Sequence, residues 1–185
     1  MRSIKLTSIL FVLGLLAASA TIARAQDSNA AKAHALVDAA IKMTDSEKAV
    51  KLLWQATDID PALEEPYIYL GMYYNSKQDF DDLAKVYQKL VKYQPNSVAA
   101  WLNIGEAYMS FTPQKLKEAL PYFRRAYELD SHSTVAALRM GEIMVQVGDD
   151  REQAIRYLRQ AAADDRANRS YADRARKILS QMGAS

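Results

Sequence analysis

The side chains able to do acid–base, nucleophilic or metal chemistry are few in this chain, and they are scattered. Its two histidines, His34 and His132, belong to no HExxH or comparable metal-ligand spacing, and there is no cysteine. That absence excludes disulfides, zinc–thiolate sites, thiol catalysis and a lipid-anchored cysteine. Carboxylates come in pairs, Glu64-Glu65, Asp81-Asp82, Asp149-Asp150 and Asp164-Asp165, at expected helix ends. There they cap N-termini or keep turns solvated. Asp58-Ile59-Asp60 begins as a calcium loop begins, but Pro61 and the lack of a turn glycine end the likeness. No glycine opens a GxxxxGK[ST] phosphate loop. These residues point to a protein that is not an enzyme and uses no metal or cofactor. A hydrolase assembled from distant positions is kept as a third reading.

The elements that would position any site repeat along the chain. Tyr67-x-x-Leu70-Gly71-x-x-Tyr74 returns as Trp101-x-x-Ile104-Gly105-x-x-Tyr108, and again as Ala137-x-x-Met140-Gly141-x-x-Met144. The glycines lie 34 and 36 residues apart. Self-similarity at that period marks a solenoid of helical pairs, each unit too small to bury its apolar stripe without a neighbour. Apolar residues recur at three and four, predicting helices at about 29–43, 46–58, 64–76, 79–92, 97–110, 116–129, 133–147, 150–163 and 168–181. Asp79, Ser97 and Ser133 are the expected N-caps. Phe111-Thr112-Pro113-Gln114 adds two residues to one link, which should project or carry an extra turn, and Pro121 is expected within the first turn of its helix.

A second pattern lies in the later helix of each pair. Ala49, Leu53, Ala56; Leu83, Tyr87, Leu90; Ala119, Phe123, Ala126; and Ala154, Leu158, Ala161 start 34, 36 and 35 residues apart, with Pro61 and Pro95 closing two of the units. On these residues the chain resembles the tetratricopeptide repeat (TPR) family, with the strong likeness running from Ser46 to Arg166. Ala33 and Val37 stand where the opening unit would have its aromatic and its glycine. The resemblance implies an all-α superhelix with a TPR domain at 31–183, its repeats at about 31–63, 64–97, 98–133 and 134–168. A capping helix follows at 168–181, where Tyr171, Ala175, Ile178 and Leu179 alternate with Arg174, Arg176 and Lys177. Gly71, Gly105 and Gly141 are expected to let helix backbones approach closely.

In the family, the first helices of successive units line a groove that takes a segment of another protein. Carried over, the partner-binding positions are Glu65, Ile68, Met72 and Asn75, then Leu102, Asn103, Glu106 and Met109, then Val135, Leu138, Arg139, Glu142 and Val145. An apolar strip flanked by carboxylates suits an amphipathic helix or extended peptide with apolar anchors and a few basic residues. Ile68, Leu102 and Leu138 have a second reading, as core covered by neighbouring helices. Some members grip a terminal carboxylate with lysine, asparagine and arginine. Asn103 and Arg139 match two of the five places, and Ile68, Met72 and Val135 occupy the others, so that clamp is not expected here.

Arg2 and Lys5 ahead of an apolar run from Ile9 to Ala20, then Ala23-Arg24-Ala25, read as a signal peptide at 1–25 cleaved before Gln26. The run is short of the roughly 20 residues of a spanning helix. The expectation is therefore a periplasmic or secreted protein with a short flexible start at 26–30 and no membrane span after cleavage. Losing Arg2, Lys5 and Arg24 would change the formal charge from +2 to −1. Thr44–Asp82 holds nine acids against three lysines, and Arg151–Ser185 eight bases against four acids. Such asymmetry allows end-to-end homo-oligomers, the alternative to an adaptor of the bacterial cell envelope. The basic end lacks interleaved aromatics, so nucleic acid is not an expected partner.

Overall fold

Short polar side chains set the helix boundaries. A computed structural model describes residues 25–163 and 169–184; all of the expected leader at 1–25 except Ala25, the Asp164-Asp165 pair and Arg166 lie outside the described residues. The described chain contains helices and no strands: α1 (25–41), α2 (Ser46–Ile59), α3 (Glu65–Ser76), α4 (Phe80–Tyr93), α5 (Val98–Ser110), α6 (Leu116–Leu129), α7 (Thr134–Val147), α8 (Arg151–Ala162) and α9 (Arg169–Gln181). Asp79 accepts from the Asp82 N–H, Ser97 from Ala100 and Ser133 from Ala136, as expected. Asp45 and Asp150 do the same for α2 and α8. Each cap satisfies an N–H that has no partner within its helix. Residues 26–30, expected to be flexible, continue α1, with 26–29 exposed and Ala30 half-buried.

The chain divides into two compact units, 1–70 and 71–185, with the division inside α3. In the first, Ala33, Val37 and Ala40 of α1, Leu53 and Ala56 of α2, and Tyr67 and Leu70 of α3 are buried. The Tyr67 hydroxyl, taken out of water, donates to the Pro61 carbonyl at 3.0 Å. In the second, consecutive helices from α4 to α9 pack in series, and α7 also meets α9. Met109, Ala119, Phe123, Met140 and Ile143 form one core cluster. Ala137, Leu138, Leu158, Ala161, Ala175 and Leu179 form another, and Tyr127 packs against both. Each fully buried Phe or Leu contributes roughly 1.5–3 kcal/mol. It is this burial between units, more than helix propensity, that holds such short helices.

The signature glycines make room for side chains rather than for backbone. A Cβ on Gly105 would stand 2.6 Å from Phe123 Cζ, and one on Gly141 2.6 Å from Leu158 Cγ. At Gly71 the intruder is the Tyr87 ring, with Cζ at 2.8 Å. The two sequence patterns thus meet in three units: Tyr87, Phe123 and Leu158, each the central residue of its later helix, lie in the notch left by the glycine of the helix before. At Gly141 backbone comes near as well, with Ala154 O 3.2 Å away.

The inserted link is tied down instead of projecting free. The Lys115 N–H bonds the Tyr108 carbonyl at 3.1 Å, closing the turn as Asp79 N–H does on Tyr74 O and Asp149 N–H on Met144 O. Phe111 folds back between Phe80 and Tyr108, at centroid distances of 6.0 and 5.9 Å, and Lys115 Nζ sits 3.4 Å above its ring. Pro121 lies in the second turn of α6, which starts at Leu116, and not in the first turn as expected. Its ring is exposed.

Candidate functional site

Within residues 71–185, helices α5, α7 and α9 share a face on which charged side chains join one unit to the next. Arg139 of α7 donates from Nε to Glu106 Oε1 at 2.6 Å and from Nη2 to Oε2 at 3.0 Å, a two-pronged pair with α5. Its Nη1 donates to Glu142 Oε2 at 2.9 Å. The other oxygen of Glu142 accepts from Nε of Arg174 on α9. Glu142 is the enclosed member, its side chain 1% exposed, and each of its oxygens accepts from an arginine, as a buried polar group requires. Burial pulls the Arg139 guanidinium down; the bonds and charges of Glu106, then Glu142, outweigh it and leave the group above its ordinary value.

The network follows the repeat. Glu106 and Glu142 each stand five residues after the start of a unit signature, Trp101 and Ala137, while Arg139 stands two after Ala137 and Arg174 35 after Arg139. Each glutamate therefore bonds the arginine of the following unit. One unit earlier the same two places hold Met72 and Asn103, which cannot form an ion pair. There the face opens into a concavity of about 240 Å³ lined by Gly71, Met72, Asn75, Leu83, Tyr87, Asn103, Glu106 and Ser110. Met72 is 63% exposed. The Asn75 and Asn103 amides make no side-chain hydrogen bond among the described residues and offer both donors and acceptors. A second, larger concavity of about 630 Å³ lies between α7 and α9, lined by Glu142, Val145, Gln146, Asp173, Arg174, Lys177, Ile178 and Gln181.

The structure thus brings Met72, Asn75, Asn103 and Glu106 to one opening, and Glu142 and Val145 to the other. Three expected groove residues are packed away. Leu138 is 0% and Met109 8% exposed, inside the two core clusters, and Glu142 contributes only carboxylate oxygens already spent. Leu102 is half-buried against the cluster around Phe123, and Val135 is also half-buried. Glu65 and Ile68 belong to the first unit; Ile68 is exposed, and Glu65 pairs with His34 at 3.2 Å. Carboxylates expected to meet basic partner residues are therefore largely neutralised by their own chain. Arg139, with two glutamates bound, has no free edge for a peptide terminus.

Sequence reading missed Arg174 and Lys177, having set α9 aside as a solubilising cap. The usable signal was the opposite charge at Glu106 and Arg139 and at Glu142 and Arg174, 33 and 32 residues apart. His34 does face a carboxylate, but both side chains are about half exposed and line neither concavity. No group of three or more His, Asp or Glu among the described residues could hold a metal ion. None of the described helices is long and apolar enough to cross a membrane.

No protein-family model matches the chain. By sequence it is similar to Hsp70-Hsp90 organizing protein 3 of Arabidopsis thaliana, 26% identical over 151 residues that make up 80% of this chain. The chain spans 26% of that relative's length. By structure it is similar to a thermophilic TPR protein of Thermus thermophilus, with TM-score 0.56, 18% identity and coverage of 82% of this chain and 84% of that one. It is also similar to PcrH in complex with the chaperone binding region of PopD, with TM-score 0.58, 23% identity and coverage of 65% of this chain and 90% of that one. Together with the glycine notches and the 34- to 36-residue period, these likenesses establish the architecture: the chain has the all-α superhelical fold of tetratricopeptide repeat proteins.

Proposed function

We propose that this protein is a non-catalytic scaffold that holds a peptide segment of another protein on the face formed by residues 71–76 of α3 with α5, α7 and α9, as an exported component of the bacterial cell envelope. The observation that carries the reading is the opening at Met72 and Asn103. Here the repeat's ion pair is missing, an exposed methionine offers an adaptable apolar contact, and two amides are free to bond a peptide backbone. Support comes from PcrH, a fold neighbour seen with a segment of another protein. The export part rests on the Arg2–Ala25 leader pattern.

End-to-end self-assembly loses part of its charge basis. Arg151 and Arg159 donate to the Met182 and Ala184 carbonyls, Arg176 to Asp173 and the Ala162 carbonyl, and Arg174 to Glu142. Of these four, Arg174 and Arg176 are paired with carboxylates, while bonds to carbonyls leave the charge of Arg151 and Arg159 in place.

The test is fluorescence anisotropy with an array of labelled 12-residue peptides, comparing the wild type with Met72→Asp. Met72 is outside the core, so the thermal melt should not move. Loss of binding by about tenfold with an unchanged melt is expected, from the desolvation of a charge in an apolar contact. Equal affinities for the two proteins would sink the proposal. Cell fractionation with mass measurement of the amino terminus tests export; a cytoplasmic chain beginning at Met1 would refute it.

A further inference from the structure

The concavity between α7 and α9 contains a guanidinium held by one edge and open along the other. Arg174 gives its Nε–H to Glu142, and its Nη1 and Nη2 donate to nothing among the described residues. Glu142 cannot leave to meet a ligand, because its second oxygen receives Arg139 and its side chain is enclosed. It acts as a fixed backstop that aims the arginine's remaining pair of N–H groups, the parallel fork that matches a carboxylate. Lys177, one turn along α9, lines the same concavity and has no carboxylate partner among the described residues. Asp173, the other acid in the lining, is taken by Arg176 at 2.7 Å. The charge left over is positive, and it stands beside the apolar surface of Val145 and Ile178.

We infer that this concavity receives an aspartate or glutamate side chain of the partner segment, its carboxylate on the Arg174 fork and Lys177 and an adjacent apolar residue against Val145 and Ile178. The inference rests on the peptide-scaffold reading and adds to it the charge of the peptide. It also reverses the basic preference expected from the sequence, because the face's glutamates are already paired while its outer cations are not.

The test uses acetylated, amidated 12-residue peptides with an invariant leucine and one varied neighbouring place, Asp, Asn or Lys. Binding is measured by anisotropy to the wild type, Arg174→Gln, and Arg156→Gln as a charge-matched control on the exposed face of α8. The Asp peptide should bind the wild type and the control about fivefold more tightly than the Asn peptide, and the Lys peptide more weakly than either, with the gap shrinking at high salt. Arg174→Gln should remove the difference while still binding the Asn peptide. Equal binding of Asp and Asn peptides, or a preference that survives in Arg174→Gln, overturns this inference alone. So does an Asn peptide with a free terminal carboxylate that matches the Asp peptide, since the site would then read chain ends. If no peptide binds at all, the scaffold reading falls and this inference with it.

Discussion

Two stretches of the same face differ in one pair of side chains. Where Glu106 meets Arg139 and Glu142 meets Arg174, successive units are bridged; where Met72 stands opposite Asn103, an opening remains. The backbone scheme is common to both, with a glycine notch filled from the next helix and a turn closed by the same kind of N–H to carbonyl bond. The comparison teaches that in this chain a binding position is a repeat position from which the structural pair has been removed. Charge then follows from pairing as well as from composition: the glutamates of the bridged stretch are taken up by its own arginines, and the cations left over on α9 face outward.

The strongest way to break the comparison is Glu142→Ala. It removes an enclosed carboxylate and leaves the largely buried Arg139 with one partner and the half-exposed Arg174 with none, and should cost about 2 kcal/mol in urea unfolding. Met72→Ala at the open stretch should cost less than about 0.5 kcal/mol. Similar losses for the two would mean that the bridge is ornamental. A smaller effect is expected from installing the bridge where it is absent, with Met72→Glu and Asn103→Arg combined. A double-mutant cycle should show favourable coupling of about 0.5–1 kcal/mol, as for a partly exposed pair, together with loss of peptide binding. Zero coupling would show that the two positions do not face each other as Glu106 and Arg139 do. The smallest effect concerns the turns. Gly148 has φ +71°, and Gln78, at the equivalent place 70 residues earlier, is held at +57° despite its Cβ. Gln78→Gly should therefore raise stability slightly, by about 0.5 kcal/mol, whereas Gly148→Gln should lower it.

Much of the fold was legible from residue types whose effect is local. Ser97, Ser133 and Asp79 announced their helices because a side-chain oxygen one turn before an apolar stripe has few other uses. The period was legible because Gly71, Gly105 and Gly141 must recur if Tyr87, Phe123 and Leu158 are to fit. The site was legible only in part. Leu138, Met109 and Glu142 looked available since α5 and α7 are covered on more than one side, and periodicity of three and four cannot say which apolar face stays open. The ion pairs were hidden for a different reason: they join units, so their pattern exists only once the repeats are laid side by side.

The junctions between units show a similar exchange of partners. Tyr67 and Trp101 each donate to the carbonyl of the proline six residues before, at 3.0 and 2.9 Å. Ala137 has no such group, and the carbonyl at Ser131 is met instead by Gln160, which also receives the Tyr127 hydroxyl at 2.6 Å. A lost local contact is replaced by one from the following helix pair.

The two tryptophans of the chain are Trp54 and Trp101, one on each side of the division at Leu70. Trp101 is tethered to Pro95 and stacked on Tyr122 at 6.3 Å, so its indole emission should change when that end of the molecule melts. Each compact unit therefore carries its own natural fluorophore. Paired Trp→Phe variants would turn an ordinary melting curve into two independent ones, reporting whether the halves come apart together or in sequence.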